Sequence, residues 1–291
     1  MYTFEATLQP SVTSSCIDLQ HVGGPKLHVQ TWGNADPLLF FIHGFGEGCF
    51  VWNHIVPALR CHGSAITIDL RGHGDSARDT TCTYSTTAHV MDISESFQAL
   101  CTRPVIIVGH SLGAEIAIHM AAMHRSRVLG VVLVDGGPQL NSEAAAYVRR
   151  KFSSQPWCYE TIDEYVRYLQ DKLPLASPLL LHWLAPQALR GNFDGGYQLK
   201  CDKALITSLE GSDKELLWSL FRSIVCPLLI IRGAASALLS RRIAIKMVQE
   251  NSHCSLRTVP DAGHAVMLDN PSGFIAVLHE FISRTKRHTN R

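Results

Sequence analysis

One serine lies between two glycines at the spacing of a strained nucleophile turn. Ser111 stands between Gly109 and Gly113, in the pattern G-x-S-x-G. An apolar run that predicts a strand, Pro104–Val108, precedes it, and an apolar helical pattern follows. So tight a turn strains the serine backbone and needs glycine two residues away on each side. The hydroxyl then lies at a helix N-terminus, whose dipole favours developing negative charge. The spacing predicts that Ser111 is a nucleophile that attacks a carbonyl.

A glycine-rich loop follows a second predicted strand. Leu38–Ile42 leads into the sequence HGFGEG at residues 43–48, where three glycines allow a ligand to approach the backbone. At a strand-to-helix junction such a loop can donate one N–H to an oxyanion, and the residue after the nucleophile donates the second. We therefore expect the backbone amides of Phe45 and Leu112 to form an oxyanion hole. The alternative is an ordinary glycine-rich turn. Glu47 is expected to cap the next helix rather than to line the pocket entrance. No G-x-x-x-x-G-K-[ST] phosphate loop is present.

Fifteen histidines compete for the role of general base. His264 lies in a loop between the last predicted strand, Ser255–Val259, and the C-terminal helix. The carboxyl ends of parallel strands meet at one edge of a sheet, so this loop should face the serine turn. The chain order, serine before histidine, agrees with that role. His264 is thus the expected base, the alternative being a structural loop histidine, and His110 is expected to pack beneath the turn.

The rest of the chain supplies the elements that must position these residues. Short apolar, β-branched runs alternate with helical patterns, which predicts an α/β fold with a mostly parallel sheet flanked by helices. Several runs are continuous, as expected for strands covered on both faces. The predicted strands are Leu27–Thr31, Leu38–Ile42, Ala65–Leu70, Pro104–Val108, Gly130–Val134, Leu228–Ile231 and Ser255–Val259, and the predicted helices include Thr87–Cys101, Leu112–His124 and Ser272–Arg284.

The alternation of strands and helices stops between about residues 137 and 225. That segment has no strand-like run, contains many aromatic residues and shows helical spacing, as in Ile162, Tyr165, Val166 and Leu169. A helical excursion between two parallel strands is well placed to cover their carboxyl ends. We expect a helical lid at 137–225 inserted into a core formed by 1–136 and 226–291. The alternative is a packing subdomain without substrate contact.

Composition excludes several classes of protein. The 291 residues are 46% hydrophobic, enough for a sizeable core. The formal net charge is +1, so no basic footprint for nucleic acid exists. Nine cysteines without a C-x-x-C pair read as buried apolar residues in a reducing compartment, with no zinc or redox motif. No signal-like or membrane-spanning run is evident, so we expect a soluble, cytoplasmic protein with no cofactor, metal, nucleic-acid partner or membrane span. Its oligomeric state stays open.

Four motifs resemble those of the α/β-hydrolase superfamily, specifically its lidded serine esterases and peptidase-like members. They are HGFG at 43–46, DLRGHGDS at 69–76, GHSLG at 109–113 and GH at 263–264. The resemblance implies an eight-stranded, mostly parallel sheet, a Ser–His–acid triad and acyl transfer without a cofactor. Ser111 stands where relatives with an aspartate nucleophile carry Asp, which argues against epoxide hydrolase and haloalkane dehalogenase chemistry.

The third triad member departs from this pattern. The resemblance implies an acid in the loop after Leu228–Ile231, yet residues 232–240 hold no carboxylate, and Ala235 or Ala237 fills the usual position. Asp135 ends the preceding strand and is the expected substitute, a position that some members of the superfamily use. The alternative is that Asp135 only forms the turn into the insertion. Asp261 and Asp269 are expected to serve the loop turn and the start of the last helix.

These observations favour a serine hydrolase that cleaves a carboxylic ester, or an amide or thioester, of an apolar small molecule through an acyl-enzyme on Ser111. Two alternatives stay open. The missing acid could indicate a cofactor-free lyase, cyclase or C–C bond hydrolase that uses the same pocket. A non-catalytic, ligand-binding relative is the other, although the chain retains both Ser111 and His264.

Overall fold

The computed structural model describes residues 12–19, 23–33, 37–208 and 213–289, and eight of its strands form one sheet. The strands are β1 Val12–Asp18, β2 Lys26–Trp32, β3 Pro37–Ile42, β4 Ser64–Ile68, β5 Val105–His110, β6 Val128–Val134, the short β7 Cys158–Tyr159, β8 Leu189–Gly191 and β9 Tyr197–Leu199, and then β10 Leu228–Gly233 and β11 Cys254–Val259. The sheet order is β1-β2-β4-β3-β5-β6-β10-β11. Among the described pairings of this eight-stranded sheet, those that involve β2 are antiparallel and the others are parallel. The predicted fold class, a mostly parallel eight-stranded sheet, is confirmed.

Helices cover both faces of the sheet. They are α1 Thr86–Leu100, α2 Leu112–Met123, α3 Ser142–Ser154, α4 Ile162–Lys172, α5 Pro178–Ala188, α6 Lys214–Arg222, α7 Arg241–Glu250, α8 Val266–Asp269 and α9 Pro271–Thr289, with 3-10 helices at Cys49–Trp52, Val56–His62, Arg125–Arg127 and Lys203–Ser208. Successive strand residues point to opposite faces: Phe41 and Val108 pack with Phe274 on one side, while Phe40 and Ile107 pack on the other. Burial on both faces explains the continuous apolar runs.

One strand of the sheet, β1, has no apolar pattern in its sequence. β1 pairs only with β2, at the edge of the sheet, and six of its seven residues are exposed. Its sequence, VTSSCID, therefore lacks the apolar run that identified the buried strands. β1 is the eighth strand that the resemblance implied but the apolar pattern missed.

The expectation of a strand-free insertion is wrong. Between β6 and β10, helices α3 to α6 accompany a three-stranded antiparallel sheet in the order β7-β9-β8. Its strands have two or three residues each, too short for alternation to be visible in the sequence. The turn between β8 and β9 is held by Asn192, whose side-chain oxygen accepts from the Gly196 amide at 2.8 Å. The assignment of 137–225 as a lid stays a prediction.

The insertion rests on the loop that carries the DLRGHGDS motif. The Asp202 amide donates to the carbonyl of Gly72 at 2.7 Å, and the Arg190 guanidinium donates to the carbonyl of Gly74 at 2.9 Å. Asp69 holds the same loop, since its Oδ2 accepts from the Asp75 amide at 2.9 Å and from His28 Nδ1 at 2.7 Å. The motif therefore forms the loop to which the insertion is hydrogen-bonded.

One expectation drawn from composition, that the cysteines are buried, is wrong. The cysteines are all free thiols, but four of them, Cys16, Cys61, Cys82 and Cys158, are exposed, so the view of nine buried apolar residues is wrong. Cys16 and Cys158 lie on the edge strands β1 and β7, a placement that the number and spacing of cysteines could not reveal. Within the described ranges, no helix has the length and apolar content that crossing a bilayer requires.

Candidate active site

The serine turn has the strained geometry that the motif predicts. β5 ends at His110 and α2 begins at Leu112, and Ser111 between them adopts φ 51° and ψ −112°. A side chain on Gly109 would overlap the Gly113 backbone, and one on Gly113 would overlap the Ile42 carbonyl. Both glycines are therefore required by close packing. The Ser111 amide donates to the Val134 carbonyl at 3.1 Å, which ties the turn to the end of β6.

His264 and Asp135 are hydrogen-bonded across 129 residues of sequence. His264 Nδ1 lies 2.8 Å from Asp135 Oδ2, and because a carboxylate only accepts, the ring nitrogen donates. Asp135 is fully buried, whereas 29% of the His264 side chain is exposed. This bond fixes the tautomer with its proton on Nδ1 and leaves Nε2 as the basic atom. The roles of the two residues in catalysis stay a prediction.

The turn that carries Asp135 packs directly on the serine turn. Asp135 follows β6 with φ 43°, and its amide donates to the Ile231 carbonyl of β10 at 2.8 Å. A Cβ placed on Gly136 would lie 2.8 Å from the Ser111 carbonyl oxygen. Ser111, Asp135 and His264 therefore meet at one edge of the sheet.

The loop that usually supplies the acid instead supplies donors to Asp135. Ser236 Oγ donates to Asp135 Oδ2 at 2.5 Å, and the Gly233 amide donates to Oδ1 at 3.2 Å. Ser236 is buried, while Ala235 and Ala237 beside it are exposed. Ser236 was not among the predicted site residues. Its signal in the sequence is that it carries the only hydroxyl between Gly233 and Leu239.

A buried arginine shapes the same loop. Arg232, at the end of β10, donates to the carbonyl oxygens of Leu239 at 2.7 Å, Ser236 at 2.9 Å and Ala234 at 3.2 Å. A guanidinium offers five donors in a fixed plane, so one side chain can bind three backbone carbonyl oxygens of the loop. Arg232 thus fixes the position from which Ser236 reaches Asp135.

The two predicted oxyanion donors lie beside Ser111. A Cβ on Gly44 would lie 3.1 Å from the Ser111 Cβ, so the HGFG loop that contains Phe45 lies against Ser111. Leu112 is the first residue of α2, where amides have no acceptor inside the helix. The assignment of these two amides as the oxyanion hole stays a prediction.

A second pair, the buried His110 and the partly exposed Glu47, packs against the serine turn. His110 is 1% exposed, and its two ring nitrogens lie 2.9 Å from Glu47 Oε2 and 3.0 Å from the His264 carbonyl oxygen. Both partners only accept, so both ring nitrogens donate and the ring is an imidazolium. Glu47 also accepts from the Gly44 amide at 2.7 Å. One ion pair therefore links the HGFG loop, the serine turn and the His264 loop.

The pKa values of this pair follow from its mutual attraction. Burial alone would raise the pKa of Glu47, but the charge and hydrogen bond of His110 outweigh it and lower the pKa to about 2. Burial likewise would lower the pKa of His110, yet the charge and hydrogen bond of Glu47 raise it above its ordinary value.

The expectation that Glu47 caps the next helix is wrong. The Cys49–Trp52 helix has no side-chain cap, and the Cys49 amide donates to Asp69 at 2.5 Å instead.

Asp261, Asp269 and Asn270 lie in the loop around His264 and at the start of the last helix. Asp269 Oδ2 accepts from the Gly263 amide at 2.8 Å, which holds the His264 loop. Burial raises the pKa of Asp269. Asn270 Oδ1 accepts from the Gly273 amide at 2.9 Å and caps α9, whose first residue is Pro271. Asp261 lies in the loop turn with φ 49°.

The variant Glu47→Gln tests the ion pair through the pH dependence of stability. Because the folded pKa of His110 is raised, its contribution is complete below the unfolded pKa of 6.5 and is lost as pH rises through the folded value. The contribution of Glu47 is present above 4.5 and is lost as pH falls towards about 2. We expect the variant to lose about 1.5–3 kcal/mol of unfolding free energy near pH 6, and less at pH 9.

Urea unfolding of both proteins from pH 5 to pH 9 measures this difference. Glu280→Gln, which removes a carboxylate from an exposed ion pair, is the matched control and should change little. A Glu47→Gln loss that stays constant across this range would contradict the charged state of His110.

Comparison with known proteins identifies the family. The model of the alpha/beta hydrolase family matches residues 39–277, and the chain belongs to this family. It is similar to 2-(acetamidomethylene)succinate hydrolase of Mesorhizobium japonicum, with 27% identity over 269 residues, 90% of this chain and 93% of the relative. It is also similar to an esterase of Mycobacterium tuberculosis, with 25% identity over 289 residues, 93% and 91% of the two chains.

A solved structure shows the same fold. The crystal structure of E-2-(acetamidomethylene)succinate hydrolase matches with a TM-score of 0.83 and 26% identity, over 94% of this chain and 99% of that chain. The family and the names of these relatives support a hydrolase activity. They carry no information on which residue of this chain is the nucleophile.

Proposed function

We propose that this chain is a serine hydrolase that cleaves a carboxylic ester of an apolar small molecule through an acyl-enzyme on Ser111. The observation that carries the proposal is the 2.8 Å hydrogen bond from His264 Nδ1 to the buried Asp135, beside a serine held at φ 51°. A histidine oriented by a carboxylate next to a strained serine is the arrangement that nucleophilic acyl transfer requires.

The reaction divides into two halves. Ser111 Oγ attacks the ester carbonyl while His264 Nε2 takes its proton, and the oxyanion accepts from the amides of Phe45 and Leu112. The imidazolium, stabilised by Asp135, then protonates the leaving alcohol. In the second half, water gives a proton to His264 and attacks the acyl-enzyme; His264 then returns that proton to Ser111 Oγ as the intermediate collapses to the carboxylic acid and free Ser111.

Aromatic side chains beside the oxyanion loop support an apolar substrate. The Phe45 ring contacts Phe152 of α3 with centroids 4.5 Å apart, and Phe152 contacts Trp157 at 5.3 Å. These rings come from the loop and the insertion, so they would bound the space next to the reacting carbonyl from two sides. Apolar groups gain most from burial against such a surface.

The relatives favour hydrolysis over the lyase and cyclase alternatives. One relative is named an esterase and another a hydrolase of 2-(acetamidomethylene)succinate. The first name supports an ester as the substrate of this chain, and the second supports an amide as the alternative substrate. Neither name gives support to a reaction without water.

A fluorophosphonate probe and a substrate panel test the proposal. We expect one covalent label per chain and release of nitrophenol from acetate, butyrate and octanoate esters, with the higher kcat/KM for the longer acyl chains. Faster turnover of 2-(acetamidomethylene)succinate than of every ester would replace the ester by an amide. A folded protein that neither takes the label nor turns over any of these compounds would contradict the proposal.

The lid is expected to exchange its backbone amides faster than the core. In α3 only Phe152 is buried, and Tyr147 and Val148 are exposed, so little apolar area holds this helix down. Access to a water-poor site needs an opening of this kind. We expect α3 to exchange at least tenfold faster than α9, and Phe152→Ala to widen the difference. Hydrogen exchange with mass spectrometry measures it, and equal protection of α3 and β5 would contradict a moving lid.

A further inference from the structure

Three metal-ligating side chains meet where the C-terminal helix packs on a 3-10 helix. Cys61 and His62 end the Val56–His62 helix, and His279 lies on α9. One donor atom from each residue lies within 4.8 Å of the other two. Cys61 Sγ is 3.8 Å from His279 Nε2, and the two imidazole rings pack edge to face with centroids 4.3 Å apart.

The spacing of these donors is close to that of a tetrahedral zinc site. Zn–S bonds of about 2.3 Å and Zn–N bonds of about 2.0–2.1 Å, at a tetrahedral angle, place sulfur and nitrogen about 3.5–3.6 Å apart. The observed 3.8 Å differs from this by a few tenths of an ångström. Cys61 and His279 are both exposed, so small rotations of their side chains can close the gap.

The chemistry of His62 is that of a metal ligand. Its side chain is buried, and its Nε2 is without a hydrogen-bond partner among the described residues. Leaving a buried polar nitrogen unpaired is unfavourable, so a bound ion would relieve it if the ring turned towards the other donors.

We propose that Cys61, His62 and His279 bind one Zn²⁺ ion, with water as the fourth ligand. On binding, the Cys61 thiol loses its proton to solvent and ligates as the thiolate, while both histidines ligate as neutral rings. The ion joins the helix at 56–62 to α9, whose His279 lies 218 residues after Cys61, and so stabilises the docking of the C-terminal helix. The sequence predicted no metal because no short C-x-x-C or H-x-x-x-H spacing marks these residues.

One feature of the surroundings limits the affinity. The Lys286 ammonium donates to the His62 carbonyl oxygen, so a positive charge lies near the ion. With three protein ligands and this repulsion, we expect weaker binding than at closed sites with four protein ligands.

Cobalt binding tests the proposal without any measurement of activity. Reduced, chelator-treated protein is titrated with Co²⁺, which reports a thiolate ligand by a charge-transfer band in the near ultraviolet and a tetrahedral site by intense visible bands. We expect one Co²⁺ per chain, displaced by Zn²⁺, and a rise in Tm with Zn²⁺. Cys61→Ser should lose the charge-transfer band, and His279→Gln should weaken binding at least tenfold.

Matched controls separate this site from adventitious binding. Cys82→Ser and His182→Gln remove an exposed thiol and an exposed imidazole elsewhere, and both should bind Co²⁺ as the unaltered protein does. Circular dichroism checks that each variant is folded. A folded protein that shows no charge-transfer band, or a band that survives in Cys61→Ser, would overturn the proposal. Neither result bears on the proposed hydrolase activity.

Discussion

Ser111→Ala is expected to abolish covalent labelling and to lower ester turnover on the order of a millionfold, the scale seen when a serine hydrolase loses its nucleophile. The change removes only Oγ, the atom on which the acyl-enzyme forms. Alanine pays the same backbone strain at φ 51° as serine, so the free energy of unfolding should change little. Steady-state kinetics, labelling and urea unfolding on the same preparation measure all three.

Two comparisons sharpen this result. Ser153→Ala removes an exposed hydroxyl from α3 and should keep full labelling and turnover. Ser111→Gly relieves the strain at positive φ and should raise the unfolding free energy by about 1 kcal/mol or more while staying inactive. Labelling that persists in Ser111→Ala, mapped by mass spectrometry to another residue, would overturn the nucleophile assignment.

The buried part of the fold was predictable because its physics is local. Strands covered on both faces, such as β5 and β6, must be continuously apolar, and their runs were read within about two residues of their ends. β1 is an exposed edge strand whose stability comes from pairing with β2, so its own sequence carries no such pattern. The short strands of the insertion are likewise defined by their partners.

The candidate site divides along the same line. Ser111 was found because the strained turn imposes glycines at fixed spacing, and His264 because its loop follows the last strand. Partners that meet only in three dimensions were undecided or missed. Asp135 stayed open between two roles, since nothing nearby in sequence distinguishes an acid from a turn residue. Ser236, and the pairing of Glu47 with His110, could be seen only once the chain was folded.

Asp135→Asn is expected to lower kcat about 10⁴-fold while leaving the fold and the labelled residue unchanged. The amide is nearly isosteric, but if its NH2 faces His264 it favours the tautomer with the proton on Nε2, which cannot accept from Ser111. It also removes the negative charge that stabilises the imidazolium. A residue that only forms the turn into the insertion would change stability modestly and leave turnover nearly intact.

Variants of the 232–240 loop test whether the Asp135 carboxylate orients His264 for catalysis or only accepts hydrogen bonds from neighbouring residues. Ser236→Ala removes one of the donors to Asp135, so turnover should fall about tenfold, far less than in Asp135→Asn. Ala235→Asp and Ala237→Asp restore an acid to the usual loop, but both positions are exposed, and the new carboxylates should stay in water and add little. A large gain from either would show that His264 lacks an effective acid in this chain. Unchanged turnover in Asp135→Asn would remove Asp135 from the mechanism, whatever the other variants do.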